Sequence, residues 1–527
     1  MEQRTLLALT LSLLVLVVYN FALPKSKIQP AFNYSQNFVN KELNEYSYLN
    51  HQNEPEKNTD LSEKVDLIRS AKVELEISNK GAYLKTIKIR DYNLLFPLTN
   101  SFSLIKFKDA IFNVLEQSES FIKYGYEDED IVIIKTFKFL DSNLLEVNID
   151  FQHKQALTSN LDINIFSIHS SKLDNKYSQN EKSLLEYSLS TESGIYRKGS
   201  AFSFTQKEKK QDIINLIKWI GFRDRYFCAI FKPEFEVQKF SINPASEKIL
   251  DIALLNVPIK YNQNGHYSFS TNVFIGPQDV AFLKKYNQEF ENIVSFSSIG
   301  LFNAIALFIY NMIGFLHKVI PSWGLCIIII SMIIYLSLYP LTFRAMSSMK
   351  KMQSLQPKIS KLREQYSNNP QKLNMEMMEL YKQHQINPLG GCLPFLIQMP
   401  IFISFYQVLW RSIYFKGAHF LWIKDLSEPD RLLVFPFTLP IIGNELNILP
   451  IIVAIVMFFQ QKITAKSAVI TDPSQASQQK IMTTILPFMF GFIFYKFSSG
   501  LSIYMITFYL LSTLTQIRMS KINYNVQ

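Results

Sequence analysis

The chain has 527 residues, 48% of them hydrophobic, and a formal net charge of +10. Its three cysteines, Cys228, Cys326 and Cys392, are too few and too scattered for a disulfide framework, and no CxxC pair offers a metal site. The apolar residues crowd into the last two-fifths, whereas the region before them is rich in Asn, Lys, Ser and Gln. That split excludes a string of ordinary soluble domains and predicts one soluble domain followed by a membrane bundle.

Residues 1–23 carry Arg4 ahead of the apolar run Leu6 to Val18. The outline is that of an export signal; with no convincing A-x-A cleavage site, it reads as an uncleaved signal anchor. Residues 24–64 are polar and aperiodic, a flexible tether. From Val73 the pattern alternates, as V-E-L-E-I-S to Ser78, L-K-T-I-K-I from Leu84 to Ile89, I-V-I-I-K-T-F-K-F from Ile131 to Phe139, and L-E-V-N-I-D-F from Leu145 to Phe151. Period-two runs between Asn, Asp, Gly and Lys turns predict a large, mostly antiparallel exported β-sandwich over 65–290. His153, His169 and His266 are isolated in it, and no nucleophile–base pair, carboxylate pair or ligand cluster stands out, so no enzyme activity and no metal site are predicted.

Residues 291–320 contain the uncharged stretch Ile299 to Leu316, long enough to span a bilayer. Asn303, Asn311 and the following His317-Lys318 also allow a helix lying along the interface. Residues 321–342 form a stronger span, with Trp323 and Tyr339-Pro340 at its borders. Beyond it, 343–390 is a basic segment, 391–411 a third span, 412–447 a loop, 448–520 three further spans, and 521–527 a tail. From Arg344 to Gln385 eight lysines and arginines face three glutamates, whereas Arg411 to Asn447 balances at four against four. The positive-inside rule places the first segment in the cytoplasm and the second outside. Charge thus favours a polytopic α-helical membrane protein with six transmembrane helices, both termini cytoplasmic, and Ile299 to Leu316 at the interface.

Within the basic segment Met346, Met349, Met352, Leu355, Ile359 and Leu362 recur at helical spacing, Asn368-Asn369-Pro370 interrupts, and Leu373, Met377 and Leu380 resume it. The pattern predicts a cytoplasmic two-helix hairpin flanked by Lys350, Lys351, Lys358 and Arg363. Its methionines either bury against each other or offer an adaptable surface to partners. No nucleic-acid motif accompanies the charge, and no nucleic-acid partner is predicted. The spans hold almost no ionisable residue, which disfavours a transporter or channel, the alternative reading. They do hold Ser331, Tyr335, Ser337, Gln398, Ser404, Tyr406, Gln407, Ser502, Tyr504, Thr507 and Tyr509, which either fasten helices or line a wet surface.

The run N-P-L-G-G-C-L-P-F-L-I-Q-M-P-I-F from Asn387 to Phe402 resembles the signature of the YidC-type membrane protein insertases. Tyr339-Pro340-Leu341-Thr342, Leu355-Gln356-Pro357-Lys358-Ile359, Leu421-Trp422-Ile423, Thr471-Asp472-Pro473 and Ser499-Gly500-Leu501 with Tyr504 agree with it. The resemblance implies an inner-membrane protein with a large periplasmic domain and a five-helix core. It implies a hydrophilic groove open to cytoplasm and lipid, in which nascent membrane proteins are inserted, alone or beside the Sec translocon and without a cofactor. Ribosome and membrane lipids are the further partners implied, for a monomer or a translocon-bound chain. Groove and client contacts then fall to Ser331, Tyr335, Gln398, Tyr406 and Tyr504. One departure stands out: the family's arginine four residues before the Tyr-Pro of the second span corresponds here to Tyr335, and no Lys, Arg or His lies from Val319 to Phe343.

Overall fold

The computed structural model describes residues 63–96, 98–154, 166–171, 186–198, 211–214, 216–237, 239–244, 249–255, 266–367, 369–384, 386, 393–439, 443–466 and 480–520. The expected anchor at 1–23, the tether up to Ser62, the Asn387 to Cys392 part of the signature, Thr471-Asp472-Pro473 and the tail lie outside these residues. The chain divides at Gly276/Pro277 into a β unit and a helical unit.

The β unit contains two nine-stranded sheets. One runs Val65–Arg69, Val73–Ser78, Tyr83–Ile89, Leu98–Ser103, Phe166–Ser171, Ile249–Leu255, Lys239–Pro244 and Gln211–Ile214, with Leu94–Phe96 also paired to Tyr83–Ile89. The other runs Gly194–Lys198, Glu186–Thr191, Ile217–Arg223, Phe227–Pro233, His266–Pro277, Leu144–His153, Ile131–Phe139, Phe121–Glu127 and Asn113–Gln117. The two face each other across an aromatic core. Phe102 of the first sheet lies 6.3 Å from Phe137 and 5.6 Å from Phe231 of the second, ring centre to ring centre, and Tyr124 donates to Asp66 across the same gap.

In Ile131–Phe139 burial alternates with the pleat, as the sequence pattern predicts. Lys135 occupies an inward position of that alternation and is fully buried. Its ammonium donates to the carbonyls of Gly81 (2.6 Å), Ala82 (3.1 Å) and Phe102 (2.9 Å). Gly81 and Ala82 both take left-handed dihedrals there, with φ of 69° and 42°, a turn that glycine makes without steric cost. Burial pushes the ammonium down to about 7, while three carbonyl acceptors favour its charged form.

In the helical unit the elements used below are α1 (Gly300–His317), α2 (Trp323–Ser354), α3 (Gln356–Gln365), α4 (Pro370–Gln383), α5 (Leu393–Arg411), α6 (Leu449–Lys466), α7 (Leu486–Ile493) and α8 (Ser499–Ser520). Three described helices are long and apolar enough to cross a membrane: α1, α2 and α8. α2 is 32 residues long, roughly 48 Å at 1.5 Å per residue, so it outruns a ~30 Å hydrocarbon core. Met346 and Met349 therefore ride on the continuation of α2 rather than on a separate helix. The hairpin proper starts at Gln356, with Pro357 in the first turn of α3. There Leu355, Ile359 and Ile386 form a small core with Met352, Met377, Leu380 and Tyr381 around it.

α8 packs most extensively on α6 and α2, and α1 on α5. The loop after α5 returns to the Trp323 end of α2. There a Cβ on Gly324 would stand 2.1 Å from Cγ of Phe420, so only glycine admits that ring. The same loop ends in a two-stranded hairpin, Leu433–Leu439 with Gly443–Leu446, and leads into α6.

Candidate functional site

Burial and pairing single out a polar seam on one side of α8. Tyr504 is 1% exposed, and its hydroxyl accepts from Nε2 of Gln398 on α5. Eleven residues, or three turns, further along α8, Thr515 accepts from the Tyr335 hydroxyl of α2 at 2.6 Å. Between these bonds lies Phe508, with its ring centre 6.3 Å from Tyr504 and 5.4 Å from Tyr335. On the remaining side Thr464 of α6 donates to Gln516 of α8 at 3.0 Å. The last helix is thus tied to α5, α2 and α6 by neutral hydrogen bonds.

Buried polar groups need partners, and three glutamines of this unit are only partly paired. The carboxamide oxygens of Gln398, Gln407 and Gln460 are buried and have no hydrogen-bond partner among the described residues.

Of the residues selected from sequence, Gln398 and Tyr504 meet directly, and Tyr335 joins them through Phe508. Ser331, fully buried, lies one turn before Tyr335 and donates to the Ile327 carbonyl of its own helix. Tyr406 is half-buried against Trp410 and Phe497. Thr464, Thr515 and Gln516 were missed; their only signal was a hydroxyl or amide in an apolar run. Lys496 and Arg344 are both exposed. α8 also lines a cavity of about 380 Å³ with Ile503, Ile506, Thr507, Leu510 and Leu511, together with Ile328 and Phe420.

Among the hairpin residues, Met346 and Met349 are half-buried, and Lys351 is exposed. Lys350 Nζ holds the Met519 carbonyl at the end of α8 at 2.6 Å. Lys358 Nζ lies 3.2 Å from His384 Nε2, linking α3 to the end of α4. Nε of half-buried Arg363 has no hydrogen-bond partner among the described residues.

At the other end of α2, four rings stack in series. Tyr310 and Tyr414 are 4.8 Å apart, Tyr414 and Trp323 4.6 Å, and Trp323 and His317 3.5 Å, centre to centre. Tyr310 also donates to Asp279. Deeper in the unit, the Phe302 carbonyl of α1 accepts from Ser404 of α5. α1 therefore overlaps only the second half of α5 and extends past its end.

Two family models match the chain, dividing it within α1 rather than at Gly276. The profile of the family described as 60Kd inner membrane protein matches residues 315–525, and that described as YidC periplasmic domain matches 108–312. The membrane protein insertase YidC of Chlorobaculum tepidum is 32% identical over 359 residues, which cover 66% of this chain and 59% of that relative. That of Endomicrobium trichonymphae is 30% identical over 451 residues, covering 84% of this chain and 82% of the relative. A solved structure described as an active YidC insertase with its first transmembrane domain resolved is 19% identical, covers 88% of this chain and 93% of its own, and superposes with a TM-score of 0.38. With its apolar helical unit and its large β unit matched to a periplasmic domain, the chain belongs to the YidC family of membrane protein insertases.

Proposed function

We propose that this protein inserts nascent membrane proteins through the seam between α2, α5 and α8, as a non-enzymatic chaperone without a cofactor. The observation that carries the reading is the set of neutral, mutually bonded polar groups buried between these helices, Gln398 with Tyr504 and Tyr335 with Thr515. A tail that must cross a membrane carries polar groups whose transfer into hydrocarbon costs several kcal/mol each. Each neutral bond in the seam is worth only about 1 kcal/mol net. A client N–H or hydroxyl can therefore replace one partner at small cost, and the tail advances by exchange of hydrogen bonds. Meanwhile its apolar segment leaves along the aliphatic side of α8. Burial in lipid at about 25 cal/mol per Å² supplies the drive without nucleotide hydrolysis.

In this reading Ser331, Tyr335, Gln398, Tyr406 and Tyr504 line the groove. The α3–α4 hairpin, with Met346, Met349, Met352, Lys350, Lys351, Lys358 and Arg363 at or near it, receives the chain, the ribosome or the Sec translocon on the cytoplasmic side. Six helices span the membrane and both termini are cytoplasmic. α1 lies at the outer interface, because its bonds to Ser404 and its stacking on Tyr414 reach only about 10 Å below the end of α5, from Ser404 to Arg411. Photocrosslinking from position 398 or 504 to a ribosome-bound nascent membrane protein tests the proposal. Adducts that depend on the client's apolar segment are expected. Absence of adducts together with solute flux through the purified protein in liposomes would replace insertion by transport.

A further inference from the structure

The loop between α5 and α6 carries an apolar surface that the seam does not use. In its hairpin Leu432, Leu433, Val434 and Phe437 are 38%, 52%, 62% and 56% exposed. Leu433 and Val434 are consecutive in the strand and point to opposite faces, so both faces are open there. No charge occurs from Leu432 to Asn444. The charges sit at the base and are neutralised there. Arg431 pairs with Glu445 at 3.0 Å and with Glu428 at 3.4 Å, and Asp430 accepts from Ile448 N at 2.9 Å and from Leu449 N at 3.4 Å, at the start of α6. The hairpin is thus polar at its root and apolar beyond it.

A two-stranded hairpin of this size is marginal in water unless another surface covers it, and exposed apolar patches of this kind mark a contact. We infer that the hairpin is immersed in the headgroup and upper acyl region of the bilayer leaflet at the Trp323 end of α2. Two observations select lipid over a protein partner. The second strand ends at Leu446, three residues before the apolar helix α6 begins at Leu449, so the hairpin leads directly into a helix whose Ile451, Ile455 and Phe459 are themselves exposed. Both of its faces are open, which suits a solvent that surrounds an element, whereas a docked protein covers one face. Interfacial elements bury their apolar residues about 5–10 Å into that boundary, a depth the uncharged part can reach while Arg431 and Glu445 stay in water. The inference needs only that the chain spans a membrane and is independent of what the seam does.

The test uses the full chain with Cys228, Cys326 and Cys392 replaced by serine, in phosphatidylethanolamine/phosphatidylglycerol vesicles containing a doxyl-labelled phosphatidylcholine. An environment-sensitive dye is attached to Phe437→Cys or, as a second position, Val434→Cys. Glu129→Cys, exposed in a turn of the β unit, is the aqueous reference. Relative to the reference, the dye at 437 or 434 should emit to the blue, lose intensity to the doxyl lipid and resist iodide. Adding Phe437→Asp to the dye-labelled Val434→Cys chain should move the dye back towards the reference. Iodide access without doxyl quenching at both positions overturns the inference. So does shielding that appears only after a second protein is added or that grows with protein density, since the occupant is then a protein. An unchanged signal with Phe437→Asp overturns it as well.

Discussion

Replacing Tyr335 by phenylalanine separates fastening from client contact at the position where the family pattern has an arginine. Tyr335 and Thr515 are 3% and 8% exposed, and their hydroxyls are 2.6 Å apart. Phenylalanine keeps the edge contact with Phe508, so the loss reduces to one neutral hydrogen bond, roughly 0.6–1.5 kcal/mol within a membrane bundle. The Thr515 hydroxyl left behind can turn to a carbonyl one turn back in its own helix, which limits the penalty. Unfolding of the chain in lipid nanodiscs should therefore shift by about 1 kcal/mol for Tyr335→Phe and by a similar amount for Thr515→Val. The double variant should lose no more than either single one, because both remove the same bond. Insertion of a single-span client should fall by a factor of only a few and in parallel for the two. The reasoning is refuted if Tyr335→Phe abolishes insertion while Thr515→Val leaves it intact, since the tyrosine would then act on the client and not on α8.

In the β unit, burial holds the Lys135 ammonium down to about 7, below the ~10.4 of an unfolded lysine. Between those values the unfolded chain binds more protons, so stability should rise from pH 7 towards pH 10. The denaturant midpoint followed through Trp219 should show that rise, and Lys135→Met should remove it; a flat profile in the parent chain would mean that the three carbonyls restore the ordinary value. Asp430→Ala removes the carboxylate that accepts from Ile448 N and Leu449 N and should cost about 1–2 kcal/mol, as loss of a helix cap does. Thermal unfolding in nanodiscs measures this, and no change would mean that water replaces the cap. Finally, insertion of an acidic-tailed client into liposomes should be level between about 0.1 and 1 M salt, over which the screening length falls from about 10 to 3 Å. A steep fall would reveal a cation acting in the groove.

The strands whose faces alternate were legible from sequence because the period of two records directly which side is buried, as in Ile131–Phe139. Lys135 was not legible as a buried residue, since its acceptors at Gly81, Ala82 and Phe102 come from strands and turns 33 to 54 residues away. The end of α2 was misplaced for a local reason. Arg344, Lys350 and Lys351 mark where the chain leaves the hydrocarbon, but Ala345, Met346, Met349 and these lysines are good helix formers, so the helix continues to Ser354. At the seam, composition offered eleven polar residues in the spans and the family resemblance narrowed them to five, Tyr335, Gln398 and Tyr504 among them, without showing their pairing. Tyr335 and Thr515 are 180 residues apart and Gln398 and Tyr504 are 106 apart, distances over which no periodicity carries information.

The neutrality of the seam has a physical consequence for how such a groove can rest. A buried guanidinium must keep its solvation or a counter-charge, because an unpaired charge in low dielectric is costly; a groove built on one has to stay wet or occupied. Tyrosine, threonine and glutamine can satisfy one another instead, and here Tyr335 with Thr515 and Gln398 with Tyr504 do so across three helices. The seam closes on itself, tying α8 to α2 and α5, and under the proposed function a client's own donors and acceptors would compete for the same groups. The cost of opening is then set by two weak bonds. Under the proposed function, a groove without a fixed cation should admit neutral and acidic tails alike.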